Sequence, residues 1–96
     1  MSAYCIFDIR EVTDPGKMSE YRQLVGPTVE AFNGRFLVTG GEFSVMEGDW
    51  QPVFPVIIEF PSLQAAHDWY DSEAYRGPRA LRLEASRGNA VFIEGL

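Results

Sequence analysis

The chain has 96 residues, 46% of them hydrophobic and 14% aromatic, which describes one globular domain and excludes a disordered segment. Fourteen acidic residues against eight basic ones leave a net charge of -6, the wrong sign for a protein that tracks nucleic-acid phosphates. A chain this short buries only roughly 60–65% of its unfolded surface, so a second copy would supply burial that one copy lacks.

Ala3 to Arg10 alternates as a strand, with Ala3, Cys5, Phe7 and Ile9 on one face and Tyr4, Ile6, Asp8 and Arg10 on the other. Cys5, the only cysteine, excludes an intrachain disulfide and reads as a small buried hydrophobe. Thr13-Asp14-Pro15 starts a helix: Asp14 can cap free amides, and Pro15 suits the first helical position. Met18, Tyr21, Val25, Thr28, Val29 and Phe32 then form a core-facing stripe. Gly26-Pro27 predicts a kink or a break, and Asn33-Gly34 a stop in which glycine takes the left-handed cap.

Arg35 to Thr39 is the second strand. Gly40-Gly41 suggests a bulge or bend, after which Glu42 to Glu47 continues as alternating strand. A turn at Gly48-Asp49-Trp50-Gln51-Pro52 leads into Val53 to Phe60, the most apolar strand. Ser62 caps the next helix, whose stripe is Leu63, Ala66, Trp69 and Tyr70. Asp71-Ser72 and Gly77-Pro78 predict two breaks, Ala80 to Ser86 a last helical piece, Gly88-Asn89 a turn, and Ala90 to Glu94 the final strand. No apolar run approaches the ~18–20 residues of a membrane span, and no charged segment with an apolar core marks a signal peptide, so a reducing cytoplasm is expected.

The order strand–helix–strand–strand–helix–strand is the ferredoxin-like split βαβ pattern. It predicts one α+β domain over residues 1–96, a four-stranded antiparallel sheet with its helices on one face. Several strands are nonetheless apolar on both sides: Tyr4 and Ile6 oppose Cys5 and Phe7, Leu37 opposes Phe36 and Val38, and Ile57 opposes Val56 and Ile58. An apolar face without helices predicts an interface, here two sheets packed face to face in a homodimer.

The runs Asn33-Gly34-Arg35-Phe36-Leu37-Val38-Thr39-Gly40-Gly41, Glu47-Gly48-Asp49-Trp50, Ile58-Glu59-Phe60-Pro61-Ser62, Trp69-Tyr70-Asp71-Ser72-Glu73-Ala74-Tyr75 and Ile93-Glu94-Gly95 together resemble one family. It is the uncharacterised-domain family numbered 1330, a branch of the dimeric α+β barrel superfamily, and the resemblance covers nearly the whole chain. The resemblance implies a ferredoxin-like subunit and a dimer whose two sheets enclose a barrel-like core. It implies no single activity, because the superfamily includes cofactor-free monooxygenases, lactone isomerases, haem-binding enzymes and stress proteins. The chain departs from the family's pattern at Gly77-Pro78, where relatives continue as helix.

Chemistry-bearing residues are few. His67, the only histidine, is a helix residue that is either exposed or poised for acid–base work. Alone it cannot build a typical zinc site. Asp8 and Glu59, on adjacent central strands, read first as ion-paired with Arg10 or Arg35, and second as an acid–base pair. Trp50, Trp69, Tyr70 and Tyr75 suit either a core or a pocket for an aromatic ligand. Arg76, Arg79 and Arg82, at three-residue spacing, read as a solvated face, or as holders of an anionic ligand if the helix survives Gly77-Pro78. Lys17 reads as exposed, and no glycine-rich phosphate loop, paired-cysteine motif or nucleophilic triad is present.

These residues predict a homodimer that binds a small apolar or aromatic metabolite between sheet and helices, with no cofactor, metal, nucleic acid or membrane partner. The alternative is a small cofactor-independent enzyme, of isomerase or monooxygenase type. Its aromatics would hold the substrate while His67, Glu59 or Arg35 handles protons or charge.

Overall fold

The computed structural model describes residues 1–96. The elements are β1 (Ala3–Val12), α1 (Pro15–Glu30), β2 (Arg35–Thr39), β3 (Pro55–Phe60), α2 (Leu63–Tyr70), α3 (Glu73–Ala85) and β4 (Ser86–Glu94). The strands pair antiparallel in the order β2-β3-β1-β4, so the most apolar strands, β1 and β3, are central and β2 and β4 are edges.

Helix starts follow the local chemistry of the chain. The Asp14 carboxylate accepts from the Lys17 amide, Ser62 Oγ from the Ala65 amide and Ser72 Oγ from the Tyr75 amide. Ser72 also donates to the Trp69 carbonyl, which closes α2 as α3 opens and accounts for the break at Asp71-Ser72. Two expected interruptions are absent: α1 runs through Gly26-Pro27 and α3 through Gly77-Pro78. Each proline forfeits the bond to the carbonyl four residues back, and those carbonyls belong to Gln23 and Ala74, both exposed residues that water can serve. The last helical piece is therefore the end of α3.

Three further expectations are corrected. Asn33, at φ 61°, takes the left-handed position after α1; Gly34 is needed because a Cβ there would collide with Val29 and the Phe60 ring. Gly88-Asn89 is not a turn but part of β4, where Gly88 pairs with Ile9 beside an irregularity in register. Glu42 to Glu47 forms no strand and is exposed throughout. Gly40, at φ 66°, donates to the Pro55 carbonyl at 2.7 Å, after which the chain leaves the sheet. Nothing in one copy lies beyond the edge strand β2 to pair with the segment that follows.

The helices cover one face of the sheet. Cys5, Phe7, Ile58 and Phe60 of that face pack with Val25, Val29, Ala66, Trp69 and Tyr75 in one buried cluster. Trp69 sits at its centre, stacked on Tyr75 at 4.1 Å between centroids and tilted on Phe60 at 5.3 Å. Its indole N–H donates to Thr28 Oγ1 at 3.0 Å, and Thr28 donates in turn to the Val25 carbonyl at 2.6 Å, tying α2 to α1. No helix covers the opposite face. Register puts Tyr4, Ile6, Val38, Ile57, Val91 and Ile93 there, the last two 57% and 53% exposed. A bulge between Phe36 and Val38 turns Val38 to this side, opposite Ile57, where strict alternation assigned Leu37.

Candidate functional site

Helix α1 packs chiefly along α3, and between α1 and the sheet lies a cavity of about 210 Å³. Its floor is Phe7 and Ile9 of β1 with Val56 and Ile58 of β3; its roof is Met18, Tyr21 and Val25 of α1; Phe54 closes one side. Phe36, Thr39 and Arg22 stand where the cavity meets an adjoining surface depression, with the Arg22 guanidinium 5.8 Å from the centre of the Phe54 ring. Nine of the twelve lining residues are hydrophobic and none is acidic.

One part of the wall is polar. Arg82 reaches it from α3, only 8% exposed, with its guanidinium 5.2 Å from the centre of the Phe7 ring. Its Nε donates to Tyr75 Oη at 3.3 Å, and Tyr75 Oη lies 2.9 Å from Tyr21 Oη. Arg82 Nη2 is buried with no hydrogen-bond partner, and no carboxylate pairs with this arginine. Burial works against its charge, but the oxygens of Tyr75 and Tyr21 outweigh it and hold its pKa above the usual arginine value. Burial and then Tyr75 push the Tyr21 hydroxyl up, so it stays protonated at neutral pH. The two hydroxyls share one hydrogen bond, which leaves one O–H free to donate elsewhere.

Of the residues singled out from sequence, only Arg82 lines this cavity. Tyr75 touches it indirectly, through its hydroxyl bond to Tyr21. Trp69 and Tyr75 are core, and Tyr70 packs edge-on against Trp69 and Phe92. Trp50 is exposed on the loop before β3, its Nε1 donating to Asp8 at 3.2 Å. His67 is exposed on α2, with its ring 5.4 Å from Phe92 in a shallow depression beside β4. Glu59 lies on the uncovered sheet face and accepts from Arg35 Nε at 2.7 Å; that arginine holds its carboxyl below the usual range. His67 thus lies away from Glu59 and Arg35, and the three do not share a cavity.

Asp8 and Glu59 are kept apart by register: Asp8 faces Pro55, while Glu59 faces Tyr4 at the other end of the strand pair. Asp8 is buried and accepts from the Val53 and Phe54 amides at 2.9 and 3.0 Å and from Arg10 at 2.7 Å. Burial alone would raise its pKa, but those amides, with Trp50 and Arg10, hold it below the usual carboxylate value. Burial pushes the Cys5 thiol up to about 12, so it is no nucleophile at neutral pH. Arg76 pairs with Glu73 at the surface, and Arg79 donates to the Tyr70 carbonyl while lying over its ring. Lys17 pairs with Glu84, and no group of His, Cys, Asp and Glu is placed to hold a metal ion.

Tyr21, Phe54 and Met18 escaped the sequence reading as site residues. Tyr21 carried the one available signal, a polar tip within a core-facing stripe, since a buried Tyr hydroxyl needs a partner.

Among solved structures, a protein of unknown function from Rhodopseudomonas palustris matches 99% of this chain and 82% of its own, with a TM-score of 0.74 at 18% identity. A Caulobacter crescentus protein, provisionally assigned as an antibiotic biosynthesis monooxygenase, matches 99% of this chain and 90% of its own, with a TM-score of 0.60 at 15% identity. A Mycobacterium tuberculosis protein matches over 100% and 96%, with a TM-score of 0.57 at 14% identity. Likeness at these identities establishes the fold, a ferredoxin-like α+β sheet with helices on one face, and nothing about chemistry. No curated protein matches the chain. Residues 2–96 match the family described as "Domain of unknown function (DUF1330)", and with its split βαβ fold the chain belongs to that family.

Proposed function

We propose that the protein is a homodimeric binding domain for a small apolar or aromatic metabolite, held in the cavity between α1 and the sheet. One observation carries this reading: an apolar cavity of about 210 Å³ in a chain of only 96 residues. Cores of this size are ordinarily filled to near crystal density, so such a space is a costly feature unless occupied. The uncovered sheet face supports the dimer. Tyr4, Ile6, Val38, Ile57, Val91 and Ile93 make it a continuous apolar surface on a slab only 17 Å through its thinnest dimension. A second copy laid face to face removes that surface from water. A single buried, unpaired cysteine suits a reducing compartment, and we place the protein in the cytoplasm on that ground.

The enzyme alternative built on His67, Glu59 and Arg35 requires those groups to converge on one cavity, and His67 lies apart from the Glu59–Arg35 pair. The binding reading therefore has the stronger support. Native mass spectrometry of freshly purified protein tests both halves of it. A dimer with mass beyond two chains, lost on denaturation, is the expected result. A bare monomer at micromolar concentration overturns the assembly.

A further inference from the structure

Arg82 and the cavity together narrow the ligand to one chemical class. We infer that the metabolite is an apolar acid: a compact hydrophobic body carrying a single carboxylate, which is bound by Arg82 Nη2 and the free hydroxyl hydrogen of the Tyr21–Tyr75 pair. The inference rests on the binding reading above and adds the chemistry of the group that is recognised.

The surroundings of Arg82 carry it. Arg82 is more than nine-tenths buried, its Nη2 has no partner, and it forms no salt bridge with a carboxylate of the chain. A guanidinium withdrawn from water without an anion is strongly disfavoured, and buried charges in stable proteins are paired. The missing partner is therefore an anion from outside the chain. Both lining cations, Arg82 within and Arg22 near the opening, stand in a cavity without one acidic residue, although the whole protein carries a charge of -6. Local charge of the opposite sign to the molecule selects anions at that place.

The orphan nitrogen and the spare O–H supply two donors near one another, joined through Tyr75 Oη. Two donors suit the two oxygens of one carboxylate and are too few for a phosphate's three acceptor oxygens and higher charge. The remaining wall is Phe7, Ile9, Val25, Phe54, Val56 and Ile58, which serves a hydrocarbon or aromatic body. A dry cavity of ~150 Å³ holds benzene. The volume here, about 210 Å³, holds a ring of that size with a short acidic side arm, or a branched aliphatic acid of similar bulk.

Calorimetric titration of the full chain with phenylacetate, benzoate and 4-methylpentanoate, each against its own amide, tests the assignment. Acids bind at least ~10-fold more tightly than their amides when the charge is read by a buried guanidinium. Arg82→Met, which keeps an unbranched apolar stem and removes the charge, abolishes that preference, whereas Arg76→Gln, at the surface of the same helix, leaves it intact. Acids and amides binding alike to the wild type would sink the carboxylate assignment and leave the binding reading standing. No binding by any acid or amide overturns both. If Arg82→Met does not fold, the Arg82 Nε–H resonance of the wild-type protein is followed during titration with the tightest acid. A shift that saturates with binding supports the assignment, and an unmoved resonance rejects it.

Discussion

Asp8 shows what one residue can hold together. Its carboxylate organises the loop before β3 through the amides of Val53 and Phe54 and the indole of Trp50, with Arg10 as counter-ion. Asp8→Ala leaves the Val53 and Phe54 amides without their acceptor, and a loss of roughly 1–3 kcal/mol is expected in urea unfolding. The pH dependence follows from the lowered pKa of the folded state. The stabilisation is complete above the unfolded value of about 4 and fades as pH falls through the lower folded value. Melting temperatures taken from about pH 6 to about pH 3 therefore fall less steeply for Asp8→Asn than for the wild type. Thr28 makes the comparable bond inside the core: Thr28→Val leaves the Trp69 indole N–H without its acceptor and costs about 1–3 kcal/mol. In urea this appears as a lower midpoint with an unchanged slope. The pairing of Asp8 with Arg10 was legible in the sequence; its hold on the loop and the bond of Thr28 to Trp69 were not, because Asp8 meets residues 50–54 and Thr28 meets Trp69 only after the fold forms.

Among the elements, the helices tolerate more than their sequences suggest. Gly77 and Pro78 sit inside α3, and the chain passes through them because tertiary burial of Tyr75, Pro78, Arg82 and Ala85 outweighs two poor helix formers. Gly77 is exposed, and a Cβ there would meet nothing within 4 Å. Gly77→Ala should add about 0.5–1 kcal/mol and raise the melting temperature by a few degrees. An unchanged or lower value would mean that α3 is not regular at this point. Continuity of α3 matters for the cavity as well, because it sets Arg82 seven residues after Tyr75, where its Nε donates to the Tyr75 hydroxyl that also bonds Tyr21. Glu42 to Glu47 makes the opposite point: its alternation was strand-like, yet a strand needs a neighbour, and the edge beyond β2 offers none in one copy.

The whole molecule is a two-layer slab with helices on one side only. Such an architecture leaves the second face of the sheet to solvent or to another chain. Ile57→Asp places a charge at the middle of that face, beside Ile6 and Val38. In the proposed dimer the charge would be buried without a partner, so light scattering should report monomers, or circular dichroism an unfolded chain. A folded dimer carrying this substitution would contradict the face-to-face arrangement. The same experiment bears on the cavity, which opens on the helix side and should bind its ligand in a folded monomeric variant.

The order of the elements and the antiparallel split βαβ architecture were legible in the residues alone, because hydrophobic period, capping serines and aspartate, and turn glycines act within a few positions of one another. Asp14 and Ser62 cap as their sequence context dictates, while Ser72, legible only as a break, also caps α3. The site was not legible in this way. Its walls come from β1, α1, β2, β3, α3 and the loop at Phe54, so no window of sequence contains it. Arg82 carries the same spacing signal as Arg76 and Arg79, yet only Arg82 turns inward, where α3 packs against α1. Spacing defines a helical face; which face is buried, and which charge is left there without a partner, depends on the neighbours that packing brings.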